Sequence, residues 1–193
     1  NHSSKILQVH LGKVVPALVA AAKDRYAKVS SEAFATIEVF VKALTPPRSA
    51  ASKVQNGEYL GQLYNTITER ITAQETDTEV RQKAVQALGL LVGRTSGSTG
   101  SSLLSEKQRF AGQDLVAERM KNELTRLASV RAVDTIAVLA QNSSDFKPGF
   151  VAAVAVELGA QLRKSSRSLR GASLSALRML AVNQASRQSL DDS

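Results

Sequence analysis

Residues 80–91 read V-R-Q-K-A-V-Q-A-L-G-L-L, and a similar order of apolar, small and polar positions returns three more times along the chain. The copies begin at Val29 (V-S-S-E-A-F-A-T-I-E-V-F), Val130 (V-R-A-V-D-T-I-A-V-L-A) and Leu169 (L-R-G-A-S-L-S-A-L-R-M-L). Because the apolar positions recur at helical spacing, each copy is predicted to form an amphipathic helix. The chain therefore contains one helix type four times.

The spacing of these copies predicts the fold class. Their starts at 29, 80, 130 and 169 lie 51, 50 and 39 residues apart, which is the range of HEAT or armadillo repeats. We expect an all-α right-handed solenoid of about four helix pairs, which acts by presenting a long surface. The apolar residues eight positions after each start are expected to be equivalent and buried; they are Ile37, Leu88, Val138 and Leu177.

The predicted organisation is one array over residues 1–193. Its approximate repeats are 10–45, 57–93, 112–141 and 146–183, with linkers at 46–56 and 94–111. The first linker contains Pro46-Pro47 and the second contains the Gly/Ser-rich run 93–102, so both interrupt helical patterns. Since apolar helical faces run close to both ends and no initiator Met is present, we expect part of a longer array.

Composition narrows the possible functions. Apolar residues make up 43% of the chain, aromatic residues 4%, and cysteine is absent, which favours closely packed helices and excludes disulfides and thiolate metal sites. No apolar run approaches the roughly 20 residues of a membrane span. With 25 basic and 17 acidic residues the net charge is +8, and no acidic residue occurs from Leu158 to Leu190. Such an excess favours an acidic partner.

No catalytic set can be assembled from the sequence. His2 and His10 are the only histidines, and on one helix they would lie roughly 12 Å apart, too far for a shared metal ion. The Gly93–Gly100 run lacks the Gly-Lys-Ser/Thr ending of a phosphate loop. We therefore expect no enzyme activity, no cofactor and no metal.

Basic residues are the remaining candidates for function. Arg81, Arg131 and Arg170 each follow the start of a predicted second helix, where they could either bridge to neighbouring turns or contact a partner. Six residues are predicted to contact a protein partner: Lys42, Lys83, Arg163, Lys164, Arg167 and Arg178. Nucleic acid is not expected, because no aromatic residues alternate with these charges to stack on bases.

Three separated stretches carry a family resemblance. They are residues 15–34 (V-P-A-L-V-A-A-A-K-D-R-Y-A-K-V-S-S-E-A-F, continuing to Val41-Lys42), residues 118–132 (E-R-M-K-N-E-L-T-R-L-A-S-V-R-A) and residues 169–177 (L-R-G-A-S-L-S-A-L). In order and spacing they resemble the middle of the cullin-associated, neddylation-dissociated proteins, also described as TATA-binding-protein-interacting proteins. None of the three stretches is a chemical motif by itself.

The resemblance implies a scaffold that wraps around an unmodified cullin–RING ubiquitin ligase. Such a scaffold masks the cullin lysine that receives the ubiquitin-like modifier, and it competes with the substrate-receptor module, so that receptors exchange. It further implies a monomer of the cytoplasm and nucleus, with the TATA-binding protein as a possible second partner and no membrane attachment. Two alternatives remain open at this point, a nuclear-transport receptor of importin type and a phosphatase-type scaffold subunit.

Overall fold

The structure is a computed structural model that describes residues 2–45, 53–97 and 103–191. The described helices, in chain order, are α1 (His2–Ala22), α2 (Ala27–Leu44), α3 (Lys53–Thr72), α4 (Thr78–Arg94), α5 (Glu106–Lys121), α6 (Arg126–Leu139), α7 (Phe150–Gln161), α8 (Arg167–Val182) and α9 (Gln184–Asp191). A short 3₁₀ helix, Ser143–Asp145, lies between α6 and α7.

These helices form antiparallel pairs stacked along one direction. The first helices of the pairs are α1, α3, α5 and α7, and each packs on the second helix that follows it, α2, α4, α6 or α8. The second helices form a continuous row, in which α2 contacts α4, α4 contacts α6, and α6 contacts α8. The prediction of an all-α helical-repeat solenoid is therefore confirmed.

Local sequence signals set several helix starts. The Asp77 side chain accepts from the backbone N–H groups of Glu79 (2.8 Å) and Val80 (3.3 Å), so it caps α4. Ser105 and Gln108 form a reciprocal capping box at α5, and Ser166 caps α8 through Leu169 N–H. Each cap satisfies backbone donors that the first helical turn leaves without a partner.

The buried register of the second helices differs from the predicted one. Val29 and Val138 are 43% and 50% exposed, so the predicted starts of repeats one and three are each displaced by one residue. When the second helices are counted from starts at residues 30, 80, 129 and 169, the start and the positions four, seven and eleven residues later are buried in every one of them. These are Ser30, Phe34, Ile37 and Val41; Val80, Ala84, Ala87 and Leu91; Ser129, Val133, Ile136 and Ala140; and Leu169, Ser173, Ala176 and Leu180.

The expected burial of Leu177 is wrong, although Leu88 and Leu177 keep the same position, eight residues after the unchanged starts at 80 and 169. Leu88 is fully buried, because α4 lies between α2 and α6. Leu177 lies beside the buried register of α8 and is only partly covered. Counted from the corrected starts, the offset of eight is fully buried at Leu88 and Ala137, whose helices have neighbours on both sides, and only partly covered at Glu38 and Leu177, at the ends of the row.

Helix ends also differ from the predicted ones. α1 begins at His2, not near His10. α3 begins at Lys53, inside the predicted linker 46–56, and α5 begins at Glu106, inside the predicted linker 94–111. Residues 95–97 are buried, which a flexible linker would not be. The prolines at 46–47 and the Gly/Ser residues 98–102 lie outside the described residues, and the division into repeats stays a prediction.

Two glycines bring α4 and α6 unusually close. A Cβ atom on Gly89 would lie 2.5 Å from the Ala132 Cβ and 2.7 Å from its Cα. A Cβ on Gly93 would lie 2.9 Å from the Leu139 Cδ1 and 3.3 Å from the Thr135 carbonyl oxygen. The two positions lie four residues apart on one face of α4. A side chain at Gly89 would push α6 away, and one at Gly93 would force the Leu139 side chain to move.

Arginines near the starts of three second helices bind the preceding turn. Arg81 donates to the carbonyls of Ala73 (2.6 Å) and Gln74 (3.2 Å), and Arg170 donates to those of Lys164 and Ser165. In the third repeat this role belongs to Arg126, which donates to the carbonyls of Met120 (3.1 Å) and Lys121 (3.2 Å). The bridging role therefore holds for Arg81 and Arg170, and is wrong for Arg131.

A buried carboxylate joins the second and third repeats. Asp145, 4% exposed, accepts from Gly97 N–H (2.7 Å), Gln141 N–H (2.9 Å), Asn142 N–H (2.9 Å) and the Arg109 guanidinium (3.3 Å). These donors come from the segment after α4, from α5 and from the segment after α6. The Asp145 cluster therefore fixes the end of α4 against the third repeat.

Candidate protein-interaction surface

A groove crosses three second helices on the surface of the stacked row. It holds about 280 Å³. We call it the second-helix groove; its polar and larger apolar lining residues are Glu38 and Lys42 from α2, Gln86 and Leu90 from α4, and Arg131 and Thr135 from α6. Ala132 also lines the groove, and it is the residue that lies nearest to Gly89. The groove therefore lies beside the close contact of α4 with α6.

Arg131 is an exposed cation in this groove. Unlike Arg81, Arg126 and Arg170, its guanidinium makes no hydrogen bond or ion pair with the part of the chain that the structure describes. It lies two residues after the start of the buried register of α6, on the face turned away from the core. Its donors are consequently available to a partner.

Glu38 is the acidic residue of the groove. Its carboxyl is half-buried and makes no hydrogen bond with the described residues. Burial raises the pKa of Glu38 above its ordinary value, while the nearby Lys42 and Lys83 ammonium groups act in the opposite direction. Lys42 and Lys83 therefore both lie near enough to this one carboxyl to act on its pKa.

The six predicted contact residues fall into two groups and one isolated position. Lys42, exposed on α2, and Lys83, partly buried on α4, are brought together beside Glu38. Arg178 is exposed on α8, on the same row of second helices. The exposed residues Arg163, Lys164 and Arg167 lie together at the turn from α7 to α8, and whether they contact a partner stays a prediction.

Sequence reasoning missed three features of this surface. Arg131 was assigned the same alternatives as Arg81 and Arg170 because all three follow a predicted helix start, whereas α6 actually begins at Arg126. Glu38 and Gln86 were not singled out. The signal that could have indicated a spare arginine is that repeat three has two near the start of its second helix, Arg126 and Arg131, whereas repeat two has Arg81 alone.

The chemistry of this surface is that of binding. Lysine and arginine on a groove crossed by helices attract anionic groups. Within residues 2–45, 53–97 and 103–191 no group of three or more histidine, cysteine or acidic side chains could hold a metal ion.

None of the described helices combines the length and apolar character that crossing a membrane requires.

Comparison with known proteins shows what this chain is similar to. Residues 1–88 match the family model described as CAND1-like, TPR repeats. The C-terminal part of cullin-associated NEDD8-dissociated protein 1 from Emericella nidulans is 45% identical over 190 residues, which is 98% of this chain. Over nearly its whole length the chain is similar to the cullin-associated NEDD8-dissociated proteins. The resemblance predicted from the sequence is thereby confirmed.

Further comparisons extend this relationship and the fold. The cullin-associated NEDD8-dissociated protein 1 of Drosophila melanogaster is 28% identical over 96% of this chain. A crystal structure of an engineered protein from the Northeast Structural Genomics Consortium has a TM-score of 0.58 at 14% identity, covering 93% of this chain and 68% of that one. At this identity the engineered protein is similar in fold alone.

The chain is much shorter than these curated relatives. It spans 18% of the length of the Emericella nidulans relative and 14% of the Drosophila melanogaster relative. In the described residues it has the architecture of a repeat scaffold, four helix pairs that share one continuous row of second helices.

Proposed function

We propose that this chain is part of a non-enzymatic scaffold that binds unmodified cullin–RING ubiquitin ligases. The observation that carries the proposal is the 45% identity to a cullin-associated NEDD8-dissociated protein over 98% of the chain. By the same relationship the scaffold blocks attachment of the ubiquitin-like modifier to the cullin and promotes exchange of substrate receptors. It acts as a monomer, without a cofactor, in the cytoplasm and nucleus.

The charges of the second-helix row favour this proposal over an importin-like receptor. A receptor for basic cargo signals needs acidic residues on its binding face. Here the row carries Lys42, Lys83, Arg131 and Arg178, and all but the partly buried Lys83 are exposed. A basic face suits an acidic surface of a partner protein, as a cullin complex could provide.

The test is a titration with a purified unmodified cullin–RING complex. The protein titrated is the longer scaffold of which this chain is proposed to be part, called the parent protein below. Reversing Lys42, Lys83 and Arg178 to Glu should lower the affinity and its salt dependence, because exposed charges that meet a partner accelerate and strengthen association. The matched control reverses the exposed first-helix residues Lys13, Lys107 and Lys121, which gives the same change in net charge on the other side of each helix pair.

The two variants separate the possible outcomes. Loss of affinity in the second-helix variant alone supports binding by the row of second helices. Equal loss in both variants would mean that only net charge matters. No binding by the unaltered parent would refute the cullin proposal, and the same titration with the TATA-binding protein tests the second partner that the resemblance implies.

A further inference from the structure

We propose that the second-helix groove is a docking site for an acidic amphipathic helix of a partner protein, with one carboxylate of that helix bound to the Arg131 guanidinium. The proposal rests on the proposed function, which it deepens by naming the chemistry of the partner segment. It depends on Arg131, on the shape of the groove and on the apolar side chains at its rim.

Arg131 is the first part of the argument. Two arginines near other second-helix starts are held by main-chain carbonyls, Arg81 by those of Ala73 and Gln74 and Arg170 by those of Lys164 and Ser165. The guanidinium of Arg131 has no such partner in the described residues, although it lies in a groove. An arginine fork matches a carboxylate with two parallel hydrogen bonds, so an acidic side chain is the ligand it suits best.

The shape of the groove is the second part. It crosses α2, α4 and α6, and two interhelical distances of 8–10 Å amount to roughly 16–20 Å. This length accommodates about three turns of a helix. Among its lining residues, the Gln86 amide makes no side-chain hydrogen bond with the described residues, whereas the Thr135 hydroxyl donates to the Arg131 carbonyl. An extended segment would leave its backbone groups without partners, whereas a helix satisfies its own.

Apolar side chains at the rim are the third part. Val39 is 61% exposed and Val138 is 50% exposed. Val39 lies three residues before Lys42 on α2, and Val138 lies three residues after Thr135 on α6, so each neighbours a lining residue of the groove. Leu90 is partly exposed within the groove. A partner helix with apolar residues beside its acidic ones would cover these side chains and dehydrate the ion pair with Arg131.

The first experiment does not depend on cullin. Two designed 14-residue helical peptides with blocked ends are titrated into the chain, one with Glu and Leu at i, i+3 and i+4 spacing, the other with Gln in place of Glu. The arginine side-chain N–H signals are followed by NMR. The Glu peptide should shift the Arg131 signal more than the Arg187 signal, the Gln peptide should not, and Arg131→Gln should abolish Glu-peptide binding while leaving the melting curve unchanged. Equal responses to both peptides, or no response, would overturn the proposal.

The second experiment uses the parent protein and the purified unmodified cullin–RING complex. Arg131→Glu should lower the affinity at least about tenfold, as for a desolvated charge pair. The control Arg187→Glu reverses an exposed arginine on α9 and should lower it less than about twofold. A photo-crosslinker at Thr135 should then identify the contacting segment, and reversal of its acidic residue to Lys should restore binding to Arg131→Glu.

The two experiments fail in different ways. If the unaltered parent does not bind the cullin–RING complex, the proposed function is wrong and the peptide titration still decides the groove. If the parent binds but Arg131→Glu binds equally well, the proposed function stands and the groove is not the docking site. A crosslink from Thr135 to a segment without acidic residues would overturn the proposed chemistry.

Discussion

The Asp145 cluster and the second-helix groove each contain a carboxylate, in opposite surroundings. Asp145 accepts four hydrogen bonds, three from main-chain N–H groups and one from Arg109. Glu38 makes none with the described residues, although it is half-buried beside Lys42 and Lys83. A satisfied buried charge holds repeats together, whereas charges without partners mark a surface that is free to bind.

The largest effect is expected from Asp145→Ala. The change removes the acceptor of three backbone donors and leaves the buried Arg109 guanidinium (5% exposed) without its partner. Breaking a buried pair from one side costs about 3–5 kcal/mol. Urea unfolding followed by circular dichroism measures the loss, and hydrogen exchange should place it first at the segment after α4.

An exposed ion pair supplies the control for that change. Asp114 binds the Lys147 ammonium at 2.6 Å, but the two side chains are about half exposed, Lys147 at 40% and Asp114 at 56%. Asp114→Ala should therefore cost less than about 1 kcal/mol. Similar losses for the two variants would mean that Asp145 does not hold the second and third repeats together.

Leu88→Ala should have the next largest effect. Leu88 is fully buried where α4 lies between its neighbours, and removing a buried leucine side chain costs about 2–5 kcal/mol. Leu177→Ala should cost clearly less, because Leu177 is only partly covered on α8. Chemical unfolding of both variants tests this difference in burial, and a larger loss for Leu177→Ala would contradict it.

Gly89→Ala tests the floor beneath the groove. The added methyl would lie 2.5 Å from the Ala132 Cβ, so α4 and α6 must separate, at a cost of about 1–3 kcal/mol for overpacking. Gly61→Ala is the matched control on α3, because nothing lies within 4 Å of its added Cβ. Alanine is the better helix former, so that control should gain up to about 1 kcal/mol. A gain in both variants would refute the close contact.

How far the sequence predicts this molecule depends on the kind of interaction. Apolar spacing predicted the second helices and their pairing, because burial of Leu, Val and Ile repeats with the helix period. The same spacing placed Val138 in the core, where the structure exposes it, since a helix with an apolar residue at several offsets does not reveal which face has a neighbour. The burial of residues 95–97, just after α4, was missed because Gly/Ser composition indicates a linker. In the structure Asp145 holds Gly97 in place.

The candidate site was predicted less well than the fold. Lys42 and Lys83 were singled out because they avoid the apolar offsets, and the structure brings them together beside Glu38. Arg131 could not be separated from Arg81 without knowing where α6 begins, because helix position alone decides which arginine reaches the preceding turn. Side-chain charge is visible in a sequence, but its partners depend on contacts between distant residues.

Arg81→Ala and Arg131→Ala separate these two kinds of arginine. Arg81 donates to two main-chain carbonyls at the end of the first helix of its pair, so its removal should cost about 1 kcal/mol of unfolding free energy. Arg131→Ala should change stability by less than about 0.5 kcal/mol, as for other exposed residues without partners. Urea unfolding titrations of the two variants measure these changes in unfolding free energy. A loss of stability in Arg131→Ala would mean that Arg131 has a structural role.

The smallest effect is expected at Glu38, and its sign follows from the raised pKa. Because burial raises the folded-state pKa of this carboxyl, the folded protein binds the proton more tightly than the unfolded chain does. Between the unfolded value of about 4.3 and the higher folded value, stability therefore falls as the pH rises.

Above both values the ionised Glu38 carries a constant penalty, which Glu38→Gln should remove. The variant should be slightly more stable than the unsubstituted chain at pH 7, and this difference in stability should disappear below pH ~4. Unfolding titrations across this range check the prediction, and a less stable variant at pH 7 would mean that attraction by Lys42 and Lys83 outweighs burial.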